Sequence, residues 1–397
     1  MKYNTALPYF SNDDIDIIIP QLENILKGNG FFTKGPKVKE FEDDFASYCG
    51  ARYAVAFSHG TAALFGAYKV AKWTPCDQLI TSSISFFATI APAIDAVAPI
   101  DFVDVDSTTG NIDLDLLEEI SHKQPSRGKQ LFVIPHMGGA CVDMERMQSV
   151  IKDPEAIVIE DAAHALGSSY KNGARVGSCA FSDMTVFSFH PLKSITTGEG
   201  GMVTTNDEGM YQHLLRLRGN GVEKQTQSLE FPDRQSPWYY EVQEFSQNSH
   251  ITEMQAALGI SQLKRLDSFI GKRRELVKSY SRRFRNYFCI KMLPQTFDAK
   301  SAFHLCMVAI DFSKISITKA QLMERLKEKG ISTQVHYMPL YLQPCIQKKW
   351  PLFADYELEG AKKYYDSCLS LPLFVDMEEK DVEFVCRKLK ECVSRKN

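Results

Sequence analysis

Apolar positions in the first fifty residues recur at the spacing of two helices. In residues 14–27, Ile17, Ile18, Leu22 and Leu26 share a face, and Gly28-Asn29-Gly30 ends the run. Residues 36–49 repeat the pattern with Val38, Phe41 and Phe45, stopped by Gly50. The period then changes. Short apolar runs at 53–57, 78–81, 100–105, 131–135, 156–160, 184–189 and 201–205 read as buried strands, with helical stretches such as 61–72 between them. Strands separated in this way predict an α/β fold with a mostly parallel central sheet covered on both faces.

Residues 222–247 interrupt this rhythm with polar side chains, Pro232 and Pro237, and read as a long functional loop. A helix resumes over 251–269, marked by Met254, Leu258, Leu263 and Leu266. Beyond 270, helical segments mix with strand-like pieces at 306–310 and 332–336, which predicts a smaller C-terminal α+β domain. The expected division is a large domain over 14–250 and a small one over 251–397, with residues 1–13 a candidate addition to the latter. A length of 397 residues suits two such cores.

Charge and cysteine usage narrow the classes. The net charge of −3 gives no global electrostatic reason to expect nucleic acid or an anionic membrane as partner. No apolar stretch approaches the ~18 residues of a membrane span. Acidic Asp13, Asp14 and Asp16 precede the run at 17–20, unlike a signal peptide, so a soluble cytoplasmic protein is expected. The ten cysteines include no CxxC pair and no metal-type spacing with histidine, so no metal site is expected. Cys141, Cys179, Cys306 and Cys386 lie in or near apolar runs and read as reduced, buried thiols.

The chemistry concentrates in the middle of the chain. Glu160, Asp161 and His164 directly follow a predicted strand, and ligands of open α/β sheets bind at such carboxyl ends. As an ordinary residue, Asp161 would cap a helix. Lys193 follows the strand at 184–189 and precedes the turn Gly198-Glu199-Gly200-Gly201. Most loop lysines are simply solvated, but one confined here would lose solvation, titrate low and be able to form a Schiff base. A pyridoxal-phosphate site needs an amine, a carboxylate at the pyridine nitrogen, a cover for the ring and donors for the phosphate. Lys193 and Asp161 supply the first two. The turn at 58–61 opens a helix and offers free N–H groups to a phosphate, with the Ser188 hydroxyl nearby. Phe86 or Phe87 is a candidate ring cover, against the plainer reading of core packing.

The ordered set of segments resembles, over nearly the whole chain, the sugar aminotransferases of the DegT/DnrJ/EryC1/StrS family. The segments are Thr33-Lys34-Gly35-Pro36, Ser58-His59-Gly60-Thr61, residues 83–89, residues 160–167, the run 184–202, residues 237–244 and 255–264, and Val335-His336-Tyr337. Within the family the resemblance is to the UDP-4-amino-4,6-dideoxy-N-acetyl-β-L-altrosamine transaminases of pseudaminic acid biosynthesis. It implies pyridoxal 5'-phosphate as cofactor, the fold type I (aspartate-aminotransferase-like) architecture and a homodimer. It also implies amino transfer from glutamate to the C4 keto group of a nucleotide-linked sugar.

By residue, the resemblance implies Lys193 as the Schiff-base lysine and proton carrier, Asp161 as the pyridinium partner and His164 near the ring oxygen. Gly60, Thr61 and Ser188 are implied as phosphate contacts, and Phe86 as the stacking aromatic. Asn248 would reach the phosphate of the other subunit, and His336 and Tyr337 are candidates to contact the nucleotide sugar. Three positions depart from the family pattern. His59 replaces a small residue, Lys34 replaces a common glutamine, and Ser246-Gln247-Asn248-Ser249-His250 stands where Gly-Phe-Asn-Tyr-Arg is frequent. Relatives that act as sugar dehydratases replace the lysine by histidine, so Lys193 argues for amino transfer. Action at C3 or on another base-linked sugar stays open.

Overall fold

A computed structural model describes residues 3–96, 98–121, 128–224, 229–231, 236–293 and 300–393. The chain opens with helices α1 (Asn12–Leu26) and α2 (Pro36–Cys49), then alternates β1 (Tyr53–Phe57), α3 (Gly60–Val70), β2 (Gln78–Ser82), α4 (Ala91–Ala96), β3 (Ile100–Val103) and α5 (Leu114–Ser121). There follow β4 (Gln130–Pro135), α6 (Met144–Val150), β5 (Ile157–Asp161), β6 (Met184–Ser188), β7 (Gly201–Thr205) and α7 (Glu208–Arg218). A ribbon of β8 (Val222–Glu223) and β9 (Glu241–Val242) precedes α8 (Glu253–Phe284). The remainder is β10 (Ile290–Met292), β11 (Cys306–Ile310), α9 (Lys319–Glu328), α10 (Pro344–Lys349), α11 (Glu359–Ser367), β12 (Cys368–Leu371) and α12 (Glu379–Cys392).

The large sheet has seven strands in the order β1-β7-β6-β5-β4-β2-β3, and only β7 runs against its neighbours. Its strands are buried on both faces, as the continuous apolar runs require. One face packs α2 and the first half of α8 through Phe41, Phe45, Ile260 and Leu266; the other packs α3 and α7 through Leu64, Ala67 and Leu214. A separate core surrounds the antiparallel sheet β10-β11-β12, with Val277, Tyr280 and Phe284 of α8, Leu322 of α9 and Val385 of α12. Tyr3 joins this core through a parallel bridge to Ile331. The fold is the mostly parallel α/β architecture with a smaller C-terminal antiparallel sheet.

Two readings of the C-terminal region need correction. The helix expected to stop at 269 runs on to Phe284, because its second half passes from the large sheet's core to the smaller one. Residues 332–336 form no strand. Gln334 makes a single bridge to Ser370, and the third strand of the small sheet is Cys368–Leu371. The ends of the 222–247 segment are pinned by the β8–β9 ribbon, and Pro232 lies outside the described residues. Cys179, Cys306 and Cys386 are buried and unbridged, while Cys141 is half-buried. No described helix is long and apolar enough to cross a membrane.

Candidate active site

Lys193 is fixed by what precedes and follows it. Phe187 and Phe189 are held from behind by Phe45 of α2, with ring centroids 5.1 and 5.5 Å away. Past β6 the chain closes on itself: Lys193 N–H donates to the His190 carbonyl at 2.9 Å, and the Thr196 hydroxyl donates to the Phe189 carbonyl at 3.0 Å. Gly198 takes φ +81°, and its N–H donates to Thr196 Oγ1 at 2.9 Å. A left-handed residue there lets the turn reverse without a Cβ penalty. The lysine therefore faces a cavity of about 640 Å³, within the usual range for a small-molecule site. Burial pulls the Lys193 pKa down to about 8, against the opposing charge of Asp161.

Asp161 ends β5 and lines the same cavity. Its Oδ2 accepts a 2.6 Å hydrogen bond from Thr89 Oγ1, its Oδ1 accepts from Ala163 N–H at 3.2 Å, and Ser85 Oγ lies 2.7 Å from the Thr89 hydroxyl. It thus does not cap a helix. One residue earlier, Glu160 is fully buried beneath the site. Its carboxylate accepts from Ser182 Oγ at 2.5 Å, Tyr170 Oη at 2.6 Å and Thr185 Oγ1 at 3.2 Å, and lies 2.7 Å from His136 Nε2. Val142 N–H donates to His136 Nδ1 at 3.2 Å, which places the ring proton on Nε2, toward Glu160.

The start of α3 forms a third wall. His59 caps the helix by accepting Ala62 N–H on Nδ1 at 3.0 Å, and the N–H groups of Gly60 and Thr61 have no partner among the described residues. A Cβ on Gly60 would stand 2.8 Å from Ser188 Cβ, so only glycine fits. Free amides at a helix N-terminus beside a hydroxyl form a cradle for a phosphate. This cradle, a desolvated amine and a hydrogen-bonded carboxylate facing one cavity fit pyridoxal 5'-phosphate.

The remaining wall is rich in imidazole. His164 Nδ1 accepts the Gly138 N–H at 3.4 Å, leaving the proton on Nε2, 3.1 Å from the Tyr337 hydroxyl. Burial, then the charges of Lys193 and His336, hold His164 neutral well below the usual histidine range. His336 Nδ1 pairs with Ser370 Oγ at 2.8 Å, and burial takes its pKa down to about 4. The exposed Phe86 ring lies 5.8 Å from that of Tyr337. The His304 ring lies against His164 with centroids 4.4 Å apart and planes tilted by 35°.

The structure thus brings Lys193, Asp161, His164, Gly60, Thr61, Phe86, Ser188, His336 and Tyr337 to one cavity. Asn248 is elsewhere: it is exposed, bridged to Gly219, and accepts His250 N–H at 3.4 Å. Sequence reasoning passed over Thr89, Ser85, Gln334 and His304. A sequence signal existed for Thr89, which ends the 83–89 segment; His304 sits in an unremarkable stretch before β11 and gave none.

A model of the DegT/DnrJ/EryC1/StrS aminotransferase family matches residues 13–390, and the chain belongs to that family. It is a pyridoxal-phosphate-dependent sugar aminotransferase. Over 393 residues it is 35% identical to the spore coat polysaccharide biosynthesis protein SpsC of Bacillus subtilis, covering 98% of this chain and 96% of SpsC. It is 33% identical to the UDP-4-amino-4,6-dideoxy-N-acetyl-β-L-altrosamine transaminase of Campylobacter jejuni, covering 94% and 92% of the two chains. The solved structure of PseC from Helicobacter pylori, an aminotransferase of pseudaminic acid biosynthesis, superposes with a TM-score of 0.87 at 28% identity, covering 99% of each chain.

Proposed function

We propose that this enzyme transfers an amino group from glutamate to the C4 keto carbon of a nucleotide-linked 4-keto-6-deoxy sugar, of the UDP-N-acetyl-altrosamine type, for a surface glycan or nonulosonic acid. The observation that carries the reading is the placement of Lys193 and Asp161 on one cavity beside a glycine-lined phosphate cradle. The choice of sugar leans on the likeness to the Campylobacter transaminase and to PseC.

The cofactor, when bound, supplies an electron sink next to the carbon that loses its proton. The roles of this chain's residues follow. Lys193 would hold the cofactor aldehyde and would carry the proton of the reacting carbon as general base and then acid. A pKa of about 8 suits both tasks near neutrality. Asp161, held by Thr89, would keep the ring nitrogen protonated. Gly60, Thr61 and Ser188 would bind the phosphate, and Phe86 would cover the ring. His164, which would stand beside the ring oxygen, directs its Nε2 proton at Tyr337, so the Tyr337 hydroxyl proton is free for the sugar. His336 offers its second nitrogen to the same ligand.

The enzyme acts as a homodimer in which Asn248 reaches the partner's phosphate. Phe31, Phe32, Trp238 and Phe245 are all more than half exposed, and Phe32 is tied to Glu253, close to Asn248 in the chain. Large exposed aromatics of this kind support a protein interface. Phe245→Asp with Trp238→Asp should yield a monomer by analytical ultracentrifugation that fails to retain cofactor. Function is tested by supplying UDP- and dTDP-linked 4-keto sugars with glutamate and following 2-oxoglutarate release. No release with any 4-keto sugar would refute the reading.

A further inference from the structure

His304 and Arg273 carry polar groups that the reaction described above leaves unused. His304 lines the cavity and is 4% exposed. Neither of its ring nitrogens has a protein partner among the described residues, and Nδ1 is sealed from solvent. A neutral imidazole carries one N–H and one lone pair, and with Nδ1 closed off, Nε2 is the nitrogen through which the ring can donate to a ligand in the cavity. Behind it, Arg273 is 2% exposed on α8. Its Nη1 donates to the His304 carbonyl at 3.3 Å and to the Leu373 carbonyl at 3.2 Å, while Nε has no partner.

Buried cations are normally paired, because an uncompensated charge in a low-dielectric interior is costly. Among the described residues Arg273 meets only carbonyl oxygens, and burial lowers its pKa only to about 10, which leaves it charged at neutral pH. Around the His304 ring stand His164, Lys193, Arg273 and His336, all bases. No arginine lines the cavity among the described residues, although an amino-acid donor must bring a carboxylate into it. The sugar, by contrast, brings hydroxyls to the reacting end and would leave the cation unmatched.

We propose that His304, with Arg273 behind it, is the receptor for a carboxylate of the amino donor. His304 donates its ring N–H to a carboxylate oxygen. Arg273, through its bond to the His304 carbonyl, fixes the position of the ring and supplies the compensating charge. The proposal rests on the reading that the donor is glutamate.

The probe is glutarate, a dicarboxylate without an amine, titrated calorimetrically into the holoenzyme. Wild type should bind it in competition with glutamate. His304→Phe, which keeps the ring volume but has no donor, should raise the glutarate Kd at least tenfold. His304→Gln restores an N–H and should bring the Kd back to within about threefold of wild type. Glutarate affinity unchanged in His304→Phe would overturn the receptor while leaving glutamate as donor. So would a wild type that binds no glutarate, or a glutamine variant as impaired as phenylalanine. If glutamate fails to aminate the wild-type holoenzyme but His304→Phe still loses glutarate, the donor assignment falls and the receptor stands.

Discussion

The hydroxyl of Thr89 lies 2.6 Å from Oδ2 of Asp161, although the two are 72 positions apart in the chain. The hydroxyl is itself supported by Ser85 Oγ at 2.7 Å, and the Thr89 carbonyl accepts Tyr68 Oη at 2.7 Å. The carboxylate proposed to face the cofactor nitrogen is thus held by a short hydrogen-bonded chain from the loop after β2, and its orientation does not depend on β5 alone.

Thr89→Val should therefore impair turnover without removing any group that touches the ligand. A hydrogen bond to a charged group is worth about 1.5–3 kcal/mol, which corresponds to roughly a ten- to hundredfold fall in kcat/KM. Thr89→Ser, which retains the hydroxyl, should stay within about threefold of wild type. Asp161→Asn should lose nearly everything, since an amide cannot stabilise a protonated ring nitrogen. Steady-state kinetics on the three variants check the order.

The phosphate cradle makes a second expectation. A Cβ on Gly60 would meet Ser188 Cβ at 2.8 Å and Oγ at 3.1 Å. Gly60→Ala should push the first turn of α3 away from Ser188 and weaken cofactor retention at least tenfold. Ser188→Gly in the same chain removes both clashing atoms. The double variant should recover part of the affinity, though it lacks the hydroxyl. Equilibrium dialysis of pyridoxal 5'-phosphate measures both.

What was legible in the sequence, and what was not, follows from the same geometry. The seven strands of the large sheet each bury both faces, so each leaves a continuous apolar run that periodicity finds. Lys193 and Asp161 follow such runs directly, and position alone drew attention to them. Thr89 closes a short 3-10 turn and His304 lies in an irregular stretch, and their importance comes from which strand end they lie against. That relation is tertiary. The end of α8 was missed for a different reason: Gly271 and the charged 272–275 stretch suggest a stop, yet Leu276, Val277 and Tyr280 restart an apolar face toward another core. The strand expected at 332–336 failed because Val335 is its one apolar residue, while Gln334 makes a single bridge to Ser370 and, with His336, lines the cavity.

The Lys193 amine gives a pH expectation for the cofactor-free enzyme. Burial favours its neutral form and sets its pKa near 8, instead of the usual value near 10.4. Only the neutral amine attacks an aldehyde. The rate of reconstitution with pyridoxal 5'-phosphate should rise with pH and level off just above 8, where an ordinary lysine would still be almost wholly protonated. Stopped-flow absorbance from pH 6 to 10 would show it. A rate still climbing tenfold per unit at pH 9.5 would mean the amine is solvated.

Glu160 yields the last expectation, on stability. Burial opposes its ionisation, but hydrogen bonds from His136, Ser182 and Tyr170 outweigh burial and lower its pKa below the usual glutamate value. A carboxyl group with a lower pKa in the folded state stabilises the fold above its unfolded pKa. That contribution disappears as pH falls through the folded value. The wild type should therefore lose stability below about pH 4.5 with a component due to this residue. In Glu160→Gln the amide would turn an N–H toward His136 Nε2–H or Tyr170, and His136 cannot move its proton to Nδ1, which already accepts Val142 N–H. The variant should be about 2–4 kcal/mol less stable at pH 7, with a flatter acid limb, because a buried network with one member changed leaves its donors unpaired. Urea titrations between pH 3.5 and 7 measure both features, and equal slopes in the two proteins would show that the carboxyl is protonated in the native state.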